Sequence, residues 1–83
     1  MEVGKTFKKI MIDKDIKQIE VSDRLGLKKQ NFSNQLKADN FRIGDVVKIA
    51  DILEHDVVLR FTDRENGKVI DLESDKERSG SNA

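Results

Sequence analysis

Apolar residues recur along the first fifty positions at intervals of three and four, the spacing that places them on one side of an α-helix. The first such segment starts at Val3 and continues through Met11, with lysines on its other side. Further helices are predicted over about 17–24, 28–37 and 43–53. The pattern therefore predicts four short helices that share one apolar core.

After residue 56 the apolar period changes from 3.6 residues to two, which is typical of β-strands with one apolar face. The dipeptide Asn66-Gly67 lies between two such segments and favours a two-residue type I′ hairpin turn. With that turn, Phe61 would face Leu72 and Arg60 would face Glu73.

One side of this hairpin is predicted to be apolar, and we call it the hairpin apolar face. Its members are Leu59, Phe61, Ile70 and Leu72. Because an isolated hairpin is marginal in water, we expect this face to pack on the helices or on a second copy of the chain. The predicted divisions are a helical domain over 1–56, a hairpin over 57–72 that serves for dimerisation, and a disordered polar tail over 73–83. The end of that tail resembles an expression-tag remnant.

The segment 17–37 contains two predicted helices joined at Gly26, where a left-handed C-terminal cap is expected. Two helices joined by a tight turn that contains glycine are typical of the helix-turn-helix, whose second helix can enter the major groove of DNA. Phe32 and Leu36 share one side of that second helix and are predicted to face the core.

The opposite side of the same helix carries groups that can contact base edges. The predicted base-contacting residues are Lys29, Gln30, Ser33 and Asn34. Asparagine and glutamine amides match the N6/N7 edge of adenine, lysine can donate to guanine, and serine can serve either. The alternative interpretation is that these are ordinary solvated side chains.

A second set of basic and amide residues flanks these positions. The predicted phosphate contacts are Lys17, Gln18, Lys28, Asn31, Lys37 and Arg42. For each lysine, a solubilising charge is the alternative. Charge is unevenly distributed although the net charge is zero: residues 1–37 carry nine basic and five acidic residues, and residues 38–83 carry seven and eleven. The first half can therefore attract phosphate.

Several classes of function are disfavoured. The chain has no cysteine, its one histidine is isolated, and its glycines form neither a P-loop nor a dinucleotide-binding fingerprint. We therefore expect no enzyme activity, no cofactor and no metal site. No apolar run approaches the roughly 20 residues of a membrane span, and the N-terminal residues lack the apolar stretch of a signal peptide, so we expect a cytoplasmic protein.

Residues 3–53 resemble the Cro/repressor-type helix-turn-helix (XRE) family of phage and bacterial regulators. The matching residues are Gln18, Val21, Ser22, Arg24, Leu25, Gly26, Leu27, Gln30, Phe32, Ser33, Ile49, Ala50 and Leu53. The resemblance implies a mainly α fold: a four-helix lambda-repressor-like DNA-binding domain, here followed by a β-hairpin. It also implies a phosphate contact from Gln18, and backbone contacts from Asn40 and Arg42 after the third helix. Lys17 and Lys28 depart from the family, which usually has a capping Thr or Ser there.

The expected function is a sequence-specific regulator that binds double-stranded DNA as a homodimer on a roughly palindromic operator. Small Cro-like proteins dimerise through C-terminal strands, and the predicted hairpin resembles that arrangement. The alternative is a protein-interaction module of the same fold, antitoxin-like or bound to another regulator, which would use the hairpin or an exposed Ile19 to bind a protein partner.

Overall fold

The computed structural model describes residues 2–73 and contains four helices followed by a two-stranded antiparallel hairpin. The elements are α1 (Val3–Lys14), α2 (Gln18–Leu25), α3 (Lys29–Ala38), α4 (Ile43–Ile52), β1 (Val58–Thr62) and β2 (Val69–Glu73). The predicted mainly α fold with a C-terminal hairpin is confirmed. The limits of α2, α3 and α4 differ from the prediction by at most one residue, whereas α1 continues three residues beyond Met11. Predictions for the tail lie outside the described residues, apart from Glu73, which ends β2.

One apolar core joins the four helices. Its buried members are Phe7, Met11, Val21, Phe32, Leu36, Ile49, Ala50 and Leu53. Phe41, in the connector after α3, packs its ring edge-on against Phe7 with centroids 5.5 Å apart. Ile43 of α4 is apolar but is 61% exposed. It is the first residue of that helix, and the apolar contact with the core begins only at Val46.

The turn between α2 and α3 is closed by backbone hydrogen bonds. Gly26 adopts a left-handed conformation with φ of 72°, and the Leu27 N–H donates to the Ser22 carbonyl at 2.9 Å. This is the Schellman arrangement that ends helices at glycine. Ser22 itself is fully buried, and its hydroxyl donates to the Ile19 carbonyl at 3.0 Å, as its burial requires.

The start of α1 lies against the end of α3. Gly4 is buried there, and its N–H donates to Asp39 Oδ1 at 2.7 Å. Because the first N–H groups of a helix have no partner within the helix, this carboxylate caps α1 from 35 residues away. At its other end, α1 is linked to the end of α4 by an ion pair between Lys14 and Glu54 at 2.6 Å.

The hairpin register differs from the prediction by two residues. Phe61 pairs with Ile70, and Arg60 pairs with Asp71. The predicted two-residue turn is wrong: the Asp63 N–H donates to the Lys68 carbonyl at 2.8 Å, which closes a loop of four residues, 64–67. A type I′ turn needs positive φ at both central residues, and of the pair Asn66-Gly67 only the glycine has it, at 73°.

Two side chains stabilise this longer turn. Asp63 Oδ1 accepts the N–H of Glu65 at 2.8 Å, and Asn66 Oδ1 accepts the N–H of Lys68 at 2.8 Å. Such local side-chain bonds to the backbone are the reason that Asp and Asn favour turns. Because a shift of two residues preserves the side of each residue, the hairpin apolar face keeps its predicted members.

Candidate nucleic-acid interface

Helix α3 is held by its apolar side and exposes its polar side. Phe32 is 0% exposed and Leu36 is 3% exposed, and both lie in the core between the helices. Gln30 and Asn34, about one turn apart, are exposed on the other side. A helix presented in this way leaves its amide side chains accessible to a macromolecule in front of it.

The four predicted base-contacting residues differ in exposure. Lys29, Gln30 and Asn34 are exposed, whereas Ser33 is half-buried at the edge of the polar face. Gln30 Nε2 donates to Asn34 Oδ1 at 3.3 Å, a pairing that the sequence analysis did not anticipate although the spacing of four residues permits it. The pair holds two amides in a common orientation, with the Gln30 carbonyl oxygen and the Asn34 amino group still able to bind a base.

The predicted phosphate contacts at the start of α2 are Lys17 and Gln18. Lys17 is exposed and Gln18 is half-buried. Lysine has no acceptor and cannot cap the helix as a Ser or Thr would, but Glu20 Oε1 accepts the Lys17 N–H at 3.0 Å. This bond forms half of a capping box. This capping box can be recognised in the sequence, because Glu20 lies three residues after Lys17, the N-cap residue of α2.

The other predicted phosphate contacts lie along α3 and just after it. Lys28, Asn31, Lys37, Asn40 and Arg42 are all exposed. At the start of α4, the Arg42 N–H donates to Asp45 Oδ2 at 3.4 Å, so this bond uses the backbone of Arg42 and not its guanidinium. The predicted residues thus lie at the start of α2, on α3 and in the connector to α4.

One continuous segment of this surface carries only positive charge. Between Arg24 and Lys37 there are four basic residues and no acidic residue. Asp39 lies two residues after Lys37, but one of its carboxylate oxygens accepts the Gly4 N–H. A segment of this composition on an exposed helix attracts phosphate groups.

His55 is outside this surface and has a structural contact of its own. Its Nδ1 donates to the Leu53 carbonyl at 2.8 Å, at the end of α4. Over residues 2–73 no group of three or more side chains is arranged to hold a metal ion. Within the same range, no helix combines the length and apolar character required to cross a bilayer.

Comparison with known families identifies the domain that carries this surface. The model of the Cro/C1-type HTH DNA-binding domain matches residues 6–57, more than half of the chain, and includes all of α2, α3 and α4. The chain belongs to this family. The resemblance to Cro/repressor regulators is thereby confirmed, and the chain carries a DNA-binding domain. Comparisons with curated proteins and with solved structures gave no match.

The family match ends just before β1. The hairpin therefore lies outside the region that the Cro/C1 family has in common with this chain. DNA-binding domains of this kind are typically non-enzymatic. The assignment of individual residues to base or phosphate contacts stays a prediction. The exposure of α3 and of the residues around it supports this assignment.

Proposed function

We propose that this protein is a sequence-specific transcriptional regulator that inserts α3 into the major groove of double-stranded DNA and acts as a homodimer. The observation that carries the proposal is the two-sided character of α3: Phe32 is fully buried, while Gln30 and Asn34 are exposed on the opposite side. The major groove admits an α-helix, and its base edges present distinct donors and acceptors.

In this proposal, Gln30 and Asn34 contact bases as a pair. Their mutual hydrogen bond of 3.3 Å fixes one amide against the other and lowers the entropy lost when both are ordered on DNA. Lys29 and Ser33 lie beside them and extend the contacts towards the start and the edge of α3. Contacts of this kind discriminate between bases by ~1–3 kcal/mol each.

The basic and amide residues around α3 position the domain on the DNA backbone. Lys17 and Gln18 hold one strand from the start of α2, and Lys28, Asn31 and Lys37 contact phosphates along α3. Asn40 and Arg42 do so after α3. Such contacts fix the register of the domain but carry no sequence information directly.

The hairpin apolar face is the surface proposed for the dimer. Phe61, Ile70 and Leu72 are 62%, 65% and 56% exposed, so they do not pack on the helices of their own chain. Leu59 is half-buried and also lines a groove of about 370 Å³ between α1 and α4. A second copy would cover these residues, and two copies of α3 would lie roughly 34 Å apart, one turn of DNA.

The same exposed face supports a second candidate function, a module that binds another protein. Ile19, near the start of α2 and 42% exposed, is an alternative contact for such a partner. Salt separates the two functions: DNA binding with six or more phosphate contacts weakens ~10³-fold or more between about 50 and 200 mM salt. An apolar protein interface has no such dependence.

Selection of bound sites from random duplex DNA, followed by affinity measurements on the selected site, tests the proposal. Replacing Gln30 and Asn34 with alanine should reduce the ratio of specific to non-specific affinity by about 30-fold or more, because two base contacts are lost. Non-specific binding should change little, because phosphate contacts remain.

Gln35→Ala is the matched control. Gln35 is an amide of the same helix, but it is half-buried and lines the side of α3 that faces Asp45 and Lys48 of α4. This variant should keep the specificity ratio of the wild type. An unchanged ratio in the Gln30/Asn34 double variant would contradict the assignment of α3 to base recognition.

A further inference from the structure

We infer that Lys5 and Lys8 of α1 form a second line of phosphate contacts beside the helix-turn-helix, an inference that rests on the proposed function. The two residues are three apart on one helix and therefore share one side of it. Both are exposed. Their spacing in the sequence places them on the polar side of α1.

Lys8 lies next to the start of α2. It lines a groove of about 400 Å³ together with Lys17 and Gln18, the two residues proposed to hold a phosphate there. Met11 and Ile16 form the apolar floor of the same groove, since both also pack in or against the core. An ammonium group at this rim can reach the same DNA strand as Lys17.

Lys5 lies next to the end of α3. It lines a groove of about 190 Å³ with Leu36, Lys37 and Asp39. The contact between the Gly4 N–H and Asp39 Oδ1 places these groups together, because Gly4 immediately precedes Lys5. Lys5 is therefore beside Lys37, the proposed phosphate contact at the end of α3. One side of α1 thus joins the two ends of the proposed interface.

The carboxylates near Lys5 and Lys8 do not prevent these lysines from contacting phosphates. Lys5 is 3.7 Å from Glu2 Oε1, but the two side chains are 74% and 72% exposed, so water screens this pair and a phosphate can replace it. Asp39 accepts a backbone N–H with one oxygen. Asp15 lines the groove of Lys8 and reduces its positive potential without closing it.

The test is the salt dependence of binding to a random-sequence duplex of about 20 base pairs, two helical turns. Dissociation constants of the full chain are measured from about 50 to about 200 mM potassium chloride. Replacing Lys5 and Lys8 with glutamine should reduce the slope of log K against log[salt] by about 2, one unit for each lost contact. At 100 mM salt, each lost contact should weaken binding by about five- to tenfold.

A double variant, Lys14→Gln with Lys68→Gln, is the control for net charge. Lys14 is paired with Glu54 at the far end of α1, and Lys68 lies at the hairpin turn. This control should keep the wild-type slope to within about half a unit, since no phosphate contact is removed. Circular dichroism of all variants shows whether they remain folded, which is expected because the four lysines lie outside the core.

The outcomes separate the inference from the proposed function. A wild-type chain that fails to bind duplex DNA at low salt would overturn both. A wild-type chain that binds with a steep slope, together with a Lys5/Lys8 variant of the same slope, would overturn only the inference. Equal reductions of the slope in the test and control variants would show a general effect of net charge, and this result would also overturn the inference.

Discussion

At the scale of single residues, Gly4 determines how α1 meets α3. A Cβ atom at this position would overlap the backbone carbonyl oxygen of Leu36, an atom that cannot move without the helix. The absence of a side chain therefore allows the Gly4 N–H to reach Asp39 and keeps Lys5 beside Lys37.

Gly4→Ala should destabilise the protein by about 1–3 kcal/mol, the usual cost of forcing extra atoms into a packed site. Chemical denaturation measures this change. Gly44→Ala is the control, because a Cβ atom there meets nothing within 4 Å and α4 gains helix propensity. That variant should be more stable by roughly 0.5–1 kcal/mol. Equal stability of Gly4→Ala and the wild type would show that α1 and α3 approach less closely than described.

At the scale of elements, the turn between α2 and α3 is specified locally. Gly26, the buried Ser22 and the hydrogen bond from Leu27 all lie within six residues of sequence, so their spacing alone indicates the motif. The polar side of α3 was predicted in the same way, because Phe32 and Leu36 fix which side is buried. Ser33 is half-buried because it borders the buried side of α3. Helical spacing separates the two sides of a helix but does not give the degree of exposure of a residue at the border between them.

The hairpin shows where local signals compete. Asn66-Gly67 favours a two-residue turn, but Asp63 and Asn66 each accept a backbone N–H two residues ahead, and these two bonds stabilise the four-residue loop. In the resulting register Arg60 faces Asp71, to which it donates two hydrogen bonds at 2.8 and 3.0 Å.

This pairing gives a pH prediction. The hydrogen bonds from Arg60 lower the pKa of the Asp71 carboxyl below its ordinary value. The contribution of the pair to hairpin stability is therefore present above the ordinary pKa of about 4 and is lost as the pH falls through the lowered pKa. NMR titration of the Asp71 carboxyl should give a midpoint below that ordinary value.

Arg60→Gln should raise this midpoint towards the ordinary pKa of aspartate, because the guanidinium donors are removed. A midpoint of Asp71 that is the same with and without Arg60 would contradict the described pairing.

At the scale of the whole molecule, two of the surfaces exposed within residues 2–73 matter for the proposed function. One is the polar side of α3 with its basic surroundings, and the other is the hairpin apolar face. The basic residues predominate in 1–37 and the acidic residues in 38–83, so the half of the chain that contains α1 to α3 and the half that contains α4 and the hairpin carry opposite formal charge. If the proposed function holds, this separation favours an orientation on DNA with the hairpin away from the phosphates.

Phe61→Asp should shift the proposed dimer towards monomer, because a carboxylate at the centre of the proposed apolar interface would be buried without a partner. Sedimentation velocity measures the shift. The helical domain should remain folded, since Phe61 is 62% exposed and lies outside the core of its own chain. Specific DNA binding should weaken as the dimer is lost.

Thr62→Asp is the matched control, because Thr62 is the next residue of β1 and its side chain points to the opposite side of the sheet. It introduces the same charge and should leave the oligomeric state unchanged. A stable dimer of Phe61→Asp would place the interface elsewhere.

The sequence by itself determined the four helices, the side of α3 that faces outward and the members of the hairpin apolar face. These follow from periodicity and from caps and turns, which depend on residues only a few positions apart. The tertiary structure decided the exposure of Ile43, the capping of α1 by Asp39, and the position of Lys5 and Lys8 beside Lys37 and Lys17. Contacts between helices set these features, and a local pattern contains no information about which distant residues will meet.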